Sequence, residues 1–205
     1  MLRFLGDMEA ALAGPPLRPP SRPRATAFGF FMMEKSVLTL ARAVKHVYAA
    51  PVDASLLIGT IARAFEQERL EAVLVGNAAA ALHGAPVTTD DFDFMFRPTK
   101  QNIEKLLRVA TLLGASVSQP EYPLSRFYRI LNREVGLQVD MMGVVEGITS
   151  FESLRSRAEK VSFGNASLKV ADLIDVIKSK RTAGRPKDRA VLPVLEETLR
   201  LRNEK

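Results

Sequence analysis

Residues 91–96 read Asp-Phe-Asp-Phe-Met-Phe, and this alternation restricts the possible fold more than any other stretch of the chain. Successive side chains of a β-strand point to opposite faces of a sheet, so the pattern predicts a strand with one acidic and one apolar face. Asp91 and Asp93 then lie side by side, while the phenylalanines enter a core. The chain must therefore build a sheet that carries paired carboxylates.

The segments on both sides of this strand show helical and strand patterns in turn. That mixture predicts an α+β fold, in which a mixed sheet of roughly four to six strands is flanked by helices and followed by C-terminal helices. Asp53 and Thr99 are predicted to cap helices, and Thr149 with Glu152 has the spacing of a capping box. The predicted helices cover residues 53–70, 101–113, 150–160, 172–182 and 186–201, and the other predicted strands cover 72–75, 125–131, 137–142, 161–163 and 167–170.

Three regions are expected along the chain. Residues 14–24 contain five of the twelve prolines, and proline removes backbone donors, so residues 1–32 are predicted to form a disordered extension rich in proline and arginine. Residues 33–52 have a helical apolar period and are predicted to form a peripheral helix. Residues 53–205 hold the remaining patterns and are predicted to form one domain that includes the basic C-terminal helices.

Composition excludes several classes of function. The chain has no cysteine and two histidines, which rules out a disulfide scaffold, a thiol nucleophile and cysteine-ligated zinc. Any bound metal must then be held by carboxylates, which favours Mg²⁺ or Mn²⁺. No apolar stretch approaches the length of about 20 residues that spans a bilayer. Asp7 and Glu9 also interrupt the N-terminal apolar stretch, so no signal peptide and a cytoplasmic location are predicted.

The C-terminal segment is basic. Residues 178–205 contain 9 lysines and arginines against 4 acidic residues. Such a run is typical of a solvated helix face, and it also suits binding of a polyanion such as RNA or the phosphates of a nucleotide. The sequence leaves both interpretations open.

A third carboxylate is expected beside Asp91 and Asp93. Two adjacent carboxylates repel each other unless a cation or a proton lies between them, and no fixed positive charge lies nearby in sequence. Asp140 stands in another apolar strand, where an unpaired carboxylate is costly. The three side chains together favour a magnesium site, although acidic residues that line the solvent face of a sheet would give the same pattern.

A tight turn precedes the acidic strand. Gly76 and Asn77 follow the short apolar run 72–75 and open a stretch of small residues. Glycine permits the close approach of a phosphate, and backbone N–H groups at such a turn face an anion. A plain turn between a strand and a helix is the alternative interpretation.

The run VLVGNAAAALHGAPVTTDDFDF, residues 73–94, resembles the opening motif of nucleotidyltransferases of the DNA polymerase beta superfamily, in the branch of bacterial toxin-like and abortive-infection proteins. That branch reads Gly-Gly-x-Ala, then His-Gly, then Arg-x-Thr-x-Asp-x-Asp, and the resemblance covers roughly residues 53–200. Two positions depart from the pattern: Asn77 replaces the second glycine and Val87 replaces the arginine. The matching residues are Gly76, Ala79, His83, Gly84, Thr89, Asp91, Asp93 and Asp140, together with Lys180, Gly184, Arg185 and Asp188 in a C-terminal element.

The resemblance implies a two-metal phosphoryl transfer that uses an NTP. Asp91 and Asp93 would bind both Mg²⁺ ions, and Asp140 would bind the ion that activates the attacking hydroxyl. Lys180 would contact the triphosphate, and Asp188 would orient Lys180 or the nucleotide. The residues expected to bind the nucleotide are Gly76, Asn77, Thr89, Lys180 and Arg185.

Three functions compete at this stage. The first is transfer of a nucleoside monophosphate from an NTP to an acceptor hydroxyl. The resemblance suggests a toxin-like role, with RNA, such as a tRNA end, as one candidate acceptor and a cognate antitoxin as a candidate partner, and the sequence leaves a protein or small-molecule acceptor open. The second is a catalytically inactive relative that binds RNA or a partner protein, which Asn77 and Val87 favour. The third is a nuclease with three carboxylates, which the turn at Gly76 disfavours.

Overall fold

The computed structural model describes residues 54–119 and 126–204, which form one mixed sheet with helices packed on it. The predicted extension 1–32, the predicted helix 33–52 and the predicted cap Asp53 lie outside these residues. The helices are α1 (Ala54–Glu68), α2 (Gly76–Leu82), α3 (Lys100–Leu112), α4 (Phe151–Arg157), α5 (Leu173–Ala183) and α6 (Pro186–Asn203). The strands are β1 (Ala72–Val75), β2 (Phe92–Phe96), β3 (Ser116–Ser118), β4 (Phe127–Asn132), β5 (Leu137–Met142), β6 (Glu159–Phe163) and β7 (Ala166–Val170).

The sheet has the strand order β3-β4-β5-β2-β1-β7-β6, so β2 is the central strand. The pairs β2–β5 and β1–β7 are parallel, and the other neighbouring pairs are antiparallel. This mixed sheet confirms the predicted α+β class. The described residues hold seven strands instead of four to six, because β3 has only three residues and none of them is buried.

The aromatic residues of β2 form the centre of the core. Phe92, Phe94 and Phe96 are all buried, as the alternation predicts. The ring of Phe94 packs against Phe65 of α1, with 4.9 Å between centroids, and the ring of Phe96 meets Tyr128 of β4 edge to face at 5.9 Å. Fully burying a side chain of this size stabilises the fold by about 1.5–3 kcal/mol. The core thus fixes which face of β2 carries Asp93.

Helix ends follow local capping chemistry. The hydroxyl of Thr99 accepts a hydrogen bond from the backbone N–H of Asn102 at 3.2 Å, which confirms the predicted cap of α3. The cap of α4 is Ser150, whose hydroxyl accepts from the N–H of Ser153 at 3.1 Å, so the prediction of Thr149 was wrong by one residue. Gly184 follows the last residue of α5 as its C-terminal cap and has a φ of 61°.

Among the described residues, no helix combines the length and the apolar character needed to cross a membrane.

Candidate active site

Three carboxylates meet at the centre of the sheet. Asp93 of β2 lies opposite Asp140 of β5 in the parallel register, and Asp91 stands immediately before β2. One carboxylate oxygen from each residue lies within 4.8 Å of the others. Asp140 is only 4% exposed, while Asp91 and Asp93 are partly buried. The structure therefore brings together the three carboxylates that the sequence selected.

The carboxyl of Asp93 has a raised pKa. Burial, followed by the negative charges of Asp91 and Asp140, raises the pKa of Asp93 from 3.8 to about 6. The charges of Lys180 and Lys187 oppose this shift. A cation among the carboxylates would relieve both the repulsion and the cost of desolvation. Oxygen donors within a few ångströms of one another are also the ligands that Mg²⁺ and Mn²⁺ prefer, so the donor set fits a hard divalent cation.

Thr89 fixes the start of β2. Its hydroxyl oxygen lies 2.9 Å from the backbone carbonyl oxygen of Asp91 and 3.0 Å from Oδ1 of the Asp91 carboxylate. A hydroxyl donates one hydrogen, so it can serve either acceptor and hold the carboxylate near its own backbone. The predicted role of Thr89 in nucleotide binding stays a prediction.

The turn at Gly76 is shaped by the carboxylates. A Cβ atom at this position would lie 2.5 Å from Oδ2 of Asp93, and the φ of Gly76 is 68°. The neighbouring Asn77 donates from Nδ2 to the backbone oxygen of Thr88 at 3.1 Å, which ties α2 to the segment before β2. The side-chain oxygen of Asn77 is buried and has no hydrogen-bond partner within residues 54–119 and 126–204. Both residues predicted to bind phosphate thus also have structural roles in this site.

Arg129 is the charged residue that sequence reasoning missed. It lies on β4 opposite Asp140. Its Nε donates to Oδ1 of Asp140 at 2.8 Å and its Nη2 donates to Oδ2 at 2.7 Å. This bidentate pair brings a fixed positive charge to the carboxylates from a strand that is distant in sequence from Asp91 and Asp93. The pairing of β4 with β5 brings this charge to the cluster, although the sequence suggested only a hairpin.

Gln138 also borders the cluster from β5. Its Nε2 lies 3.4 Å from Oδ2 of Asp91 and 3.5 Å from Oδ2 of Asp140. Residues 138 and 140 are two positions apart on one strand, so both side chains share a face of the sheet. The amide therefore bridges two of the three carboxylates through long hydrogen bonds.

Lys180, Arg185 and Asp188 meet between α5 and α6. Nζ of Lys180 lies 3.2 Å from Oδ1 of Asp188, and Nε of Arg185 donates to Oδ2 at 2.7 Å. Burial opposes ionisation of Asp188, but the hydrogen bonds from Arg185 and Lys180 outweigh it and lower the pKa of this carboxyl. The positive charge of Lys180 also lowers the pKa of Asp93, so the ammonium lies within electrostatic range of the carboxylates. The structure thus brings together the predicted Lys180–Asp188 pair near the cluster.

His83 is held by backbone and side-chain partners. Its Nε2 lies 2.8 Å from the backbone oxygen of Ala171, and its Nδ1 lies 2.9 Å from Nη1 of Arg202. A carbonyl only accepts and a guanidinium only donates, so Nε2 carries the hydrogen and Nδ1 accepts. Both ring nitrogens are occupied, which supports a structural role for His83 rather than that of a base.

Comparison with known proteins gives a fold and no sequence family. The sequence matches no model of a known protein family and no curated protein. The solution structure of the antibiotic-resistance factor ANT(2'')-Ia is similar, with a TM-score of 0.52, 13% identity, and coverage of 73% of this chain and 86% of that chain. The fold is nucleotidyltransferase-like. At this identity the likeness establishes the architecture, and the chemistry must be inferred from the residues of this chain.

Two further solved structures are similar at lower scores. A candidate nucleotidyltransferase from Thermotoga maritima, TM1012, shares 18% identity over 71% of this chain and 89% of that chain, with a TM-score of 0.45. JHP933 from Helicobacter pylori shares 16% identity over 64% of this chain and 57% of that chain, with a TM-score of 0.42.

Proposed function

We propose that this protein is a metal-dependent nucleotidyltransferase that moves a nucleoside monophosphate from an NTP to an acceptor hydroxyl. The observation that carries the proposal is the convergence of Asp91, Asp93 and Asp140 within 4.8 Å. The nucleotidyltransferase-like architecture supports it. The catalytic domain in this proposal is residues 53–205. The same cluster of acidic residues on an unrelated fold would be much weaker support for this function.

Asp91, Asp93 and Asp140 are the residues that would hold Mg²⁺ or Mn²⁺. A divalent cation bound there supplies positive charge to the phosphate oxygens and lowers the pKa of a bound hydroxyl. The two-ion form expected from the sequence assigns Asp91 and Asp93 to both ions and Asp140 to one of them. Thr89 would keep the Asp91 carboxylate in place through its hydroxyl.

The triphosphate would lie beside the carboxylates. Lys180 is held by Asp188 and its charge acts on Asp93, so its ammonium would bind phosphate oxygens of a nucleotide at the cluster. Gly76 and Asn77 would approach the β- and γ-phosphates, and the guanidinium of Arg185 would add positive charge at the edge. These assignments follow from position and charge.

The reaction forms one bond and breaks one. The acceptor oxygen attacks the α-phosphorus of the NTP, the bond from that phosphorus to the bridging oxygen breaks, and pyrophosphate leaves with its electron pair. The proton of the acceptor hydroxyl is lost as the new ester forms. Because little covalent chemistry is required of the protein, the residues act by positioning and by stabilising charge.

The acceptor in our proposal is RNA. The support for RNA is the excess of basic over acidic residues in segment 178–205, a composition that favours binding of a polyanion. A tRNA end, a toxin-like role and control by a cognate antitoxin are the finer hypotheses that the sequence resemblance suggests. They are tested by identifying the labelled acceptor once transfer has been observed.

Calorimetry with each of the four NTPs tests the proposal. We expect the wild-type chain to bind at least one NTP in the presence of Mg²⁺, and we expect Asp93→Asn to lose that heat. Asp90→Asn is the matched control, because Asp90 is exposed and lies outside the cluster. Absence of binding for every NTP contradicts the proposal. If RNA still binds in a salt-sensitive manner, the inactive RNA-binding alternative takes its place.

A further inference from the structure

The ion pair between Arg129 and Asp140 changes how many cations the site can accept. Its geometry is a fork, in which two parallel N–H groups of the guanidinium meet both oxygens of one carboxylate at 2.8 and 2.7 Å. Such bidentate pairs are among the strongest and most directional of charged hydrogen bonds. The side chain of Asp140 is only 6% exposed, so little water competes for it. Asp140 therefore already has a cationic partner.

The guanidinium of Arg129 also contacts the aromatic ring of Phe127. The carbon atom at the centre of its guanidinium lies 5.5 Å from the ring centroid of Phe127. Phe127 and Arg129 are two residues apart on β4, so their side chains share a face of the sheet. An aromatic face attracts a cation and restricts a planar guanidinium to a stacked position. The ring thus helps to keep the guanidinium at Asp140.

The net charge of the cluster also favours a single divalent cation. Before a nucleotide binds, the three carboxylates and the one guanidinium in direct contact with them carry two net negative charges, which is the charge of one divalent cation. A second divalent ion would make the cluster positive and would lie next to the guanidinium, and like charges at this range repel strongly in a partly buried site. One ion balances the cluster, and a second does not.

The lone pairs that remain free on the three carboxylates give a second, independent reason to expect one cation, bound at Asp91 and Asp93. A carboxylate has about four lone-pair sites. The fork of Arg129 uses one on each oxygen of Asp140, and Nε2 of Gln138 lies 3.5 Å from Oδ2. Asp91 and Asp93 have no partner of this strength among the described residues, since the contacts to the Asp91 carboxylate come from the neutral side chains of Thr89 and Gln138. A cation therefore finds its free donors at Asp91 and Asp93.

We infer that Arg129 takes the place of a second divalent cation, so that the site binds one such ion, at Asp91 and Asp93, while the guanidinium neutralises Asp140. This inference rests on the proposed function, because that function supplies the reason for a metal. In the nucleotide-free protein it replaces the two-ion form with one ion and one fixed guanidinium. Arg129 is in this account a positioning residue, which acts through Asp140.

Counting bound Mn²⁺ tests the inference without nucleotide. Mn²⁺ is titrated into the full chain, and the electron paramagnetic resonance signal of free Mn²⁺ reports how much is bound. We expect one ion per wild-type chain. Arg129→Gln removes the positive charge and should bind a second ion, or bind its first ion at least about tenfold more tightly, since an opposite charge at this range shifts a carboxylate's proton affinity by about 1–3 pKa units.

Two further variants separate this charge effect from damage to the fold. Arg129→Lys keeps the charge but loses the fork, and it should return the count to one. Arg133→Gln removes an exposed arginine in the hairpin between β4 and β5, and it should leave both count and affinity unchanged. Thermal unfolding with and without Mn²⁺ adds a second readout, because ligand binding raises the melting temperature. Mn²⁺ should stabilise Arg129→Gln more than wild type.

Two outcomes overturn the inference. One is a wild-type count of two without nucleotide, and the other is an Arg129→Gln protein with the count and affinity of wild type. Absence of Mn²⁺ binding in both proteins removes the inference and the metal dependence together. If the counts are one and two but no NTP is bound or transferred, the proposed function fails while the role of Arg129 at the cation site stands.

Discussion

Gly76 and Asp93 adjoin so closely that a Cβ atom at position 76 would lie 2.5 Å from Oδ2 of the carboxylate. The backbone of Gly76 also has a φ of 68°, a conformation that side chains disfavour. The glycine therefore makes the turn from β1 to α2 and leaves room for a carboxylate of the cluster. The sequence predicted a role for Gly76 in binding phosphate, and the structure adds this second requirement.

Gly76→Ala should displace Asp93 as well as strain the turn. We expect it to lose about 1–2 kcal/mol of unfolding free energy from the left-handed backbone alone and to bind Mn²⁺ much more weakly than wild type. Gly136→Ala is the matched control, because Gly136 has a φ of 66° but a Cβ added there would have nothing within 4 Å. Urea unfolding and Mn²⁺ titration compare the two. Equal Mn²⁺ affinity in both variants would show that Gly76 does not position Asp93.

The raised pKa of Asp93 makes metal-free stability depend on pH. The folded state binds this proton more tightly than the unfolded chain does, since the pKa is about 6 in place of 3.8. The proton bound to Asp93 therefore stabilises the folded state fully below pH 4, and this stabilisation is lost as the pH rises through 6. Between pH 4 and pH 7 we expect wild type to lose about 1–3 kcal/mol relative to Asp93→Asn. Urea unfolding in the presence of a chelator measures this difference, and parallel curves for the two proteins would contradict it.

The Lys180–Asp188 pair should matter far more than an exposed pair on the same helices. Asp188→Asn leaves the ammonium of Lys180 without its carboxylate in a site where both side chains are largely buried, and we expect a loss of about 3 kcal/mol at pH 7. Glu196→Gln breaks the exposed pair with Arg181, and we expect less than about 1 kcal/mol.

The pH dependence of the Asp188→Asn effect has a definite sign. The pKa of Asp188 is lower in the folded state than in the unfolded chain. The ionised carboxylate therefore stabilises the folded state above the unfolded-state pKa of Asp188, and this stabilisation is lost as the pH falls through its folded-state pKa. The cost of Asp188→Asn should therefore shrink in acid. Thermal unfolding at several pH values measures it, and a cost that is small at neutral pH or grows in acid would be inconsistent with a buried ion pair.

His83 should hold a single tautomer. Nitrogen-15 NMR at pH 8 should show hydrogen on Nε2 and none on Nδ1, because Ala171 offers an acceptor and Arg202 a donor. Replacing His83 by leucine removes both bonds, and we expect a loss of about 1–3 kcal/mol of unfolding free energy. A rapidly exchanging mixture of tautomers would contradict the structural role.

The sequence predicted the parts of the site that a single strand determines. Alternation in residues 91–96 was enough to place Asp93 on the face opposite the phenylalanines, and the apolar run around Asp140 was enough to predict its burial. The cap at Thr99 depends on one local hydrogen bond and was also predicted. Local rules of side-chain direction and hydrogen bonding suffice for such features.

Features that depend on register were harder to predict. Arg129 reaches Asp140 only because β4 and β5 pair with Asn132 opposite Leu137. A shift by one residue would turn every side chain of β4 to the other face. The predicted hairpin could have indicated the Arg129–Asp140 pair, because its short connection limits the register of β4 and β5 to few possibilities. β3 gave little signal because its three residues bury no side chain, and Ser150 and Thr149 have the same capping chemistry.

Transfer of label from an α-phosphate tests the central claim most directly. The full chain is incubated with each α-labelled NTP, Mg²⁺ and total RNA, and the product is followed by gel and by release of pyrophosphate. We predict transfer by wild type and by Asp90→Asn, and a loss of about a hundredfold to a thousandfold in Asp91→Asn and Asp93→Asn, the order of effect seen when a group that stabilises transition-state charge is removed. Transfer that persists in Asp93→Asn at the wild-type rate would contradict the account.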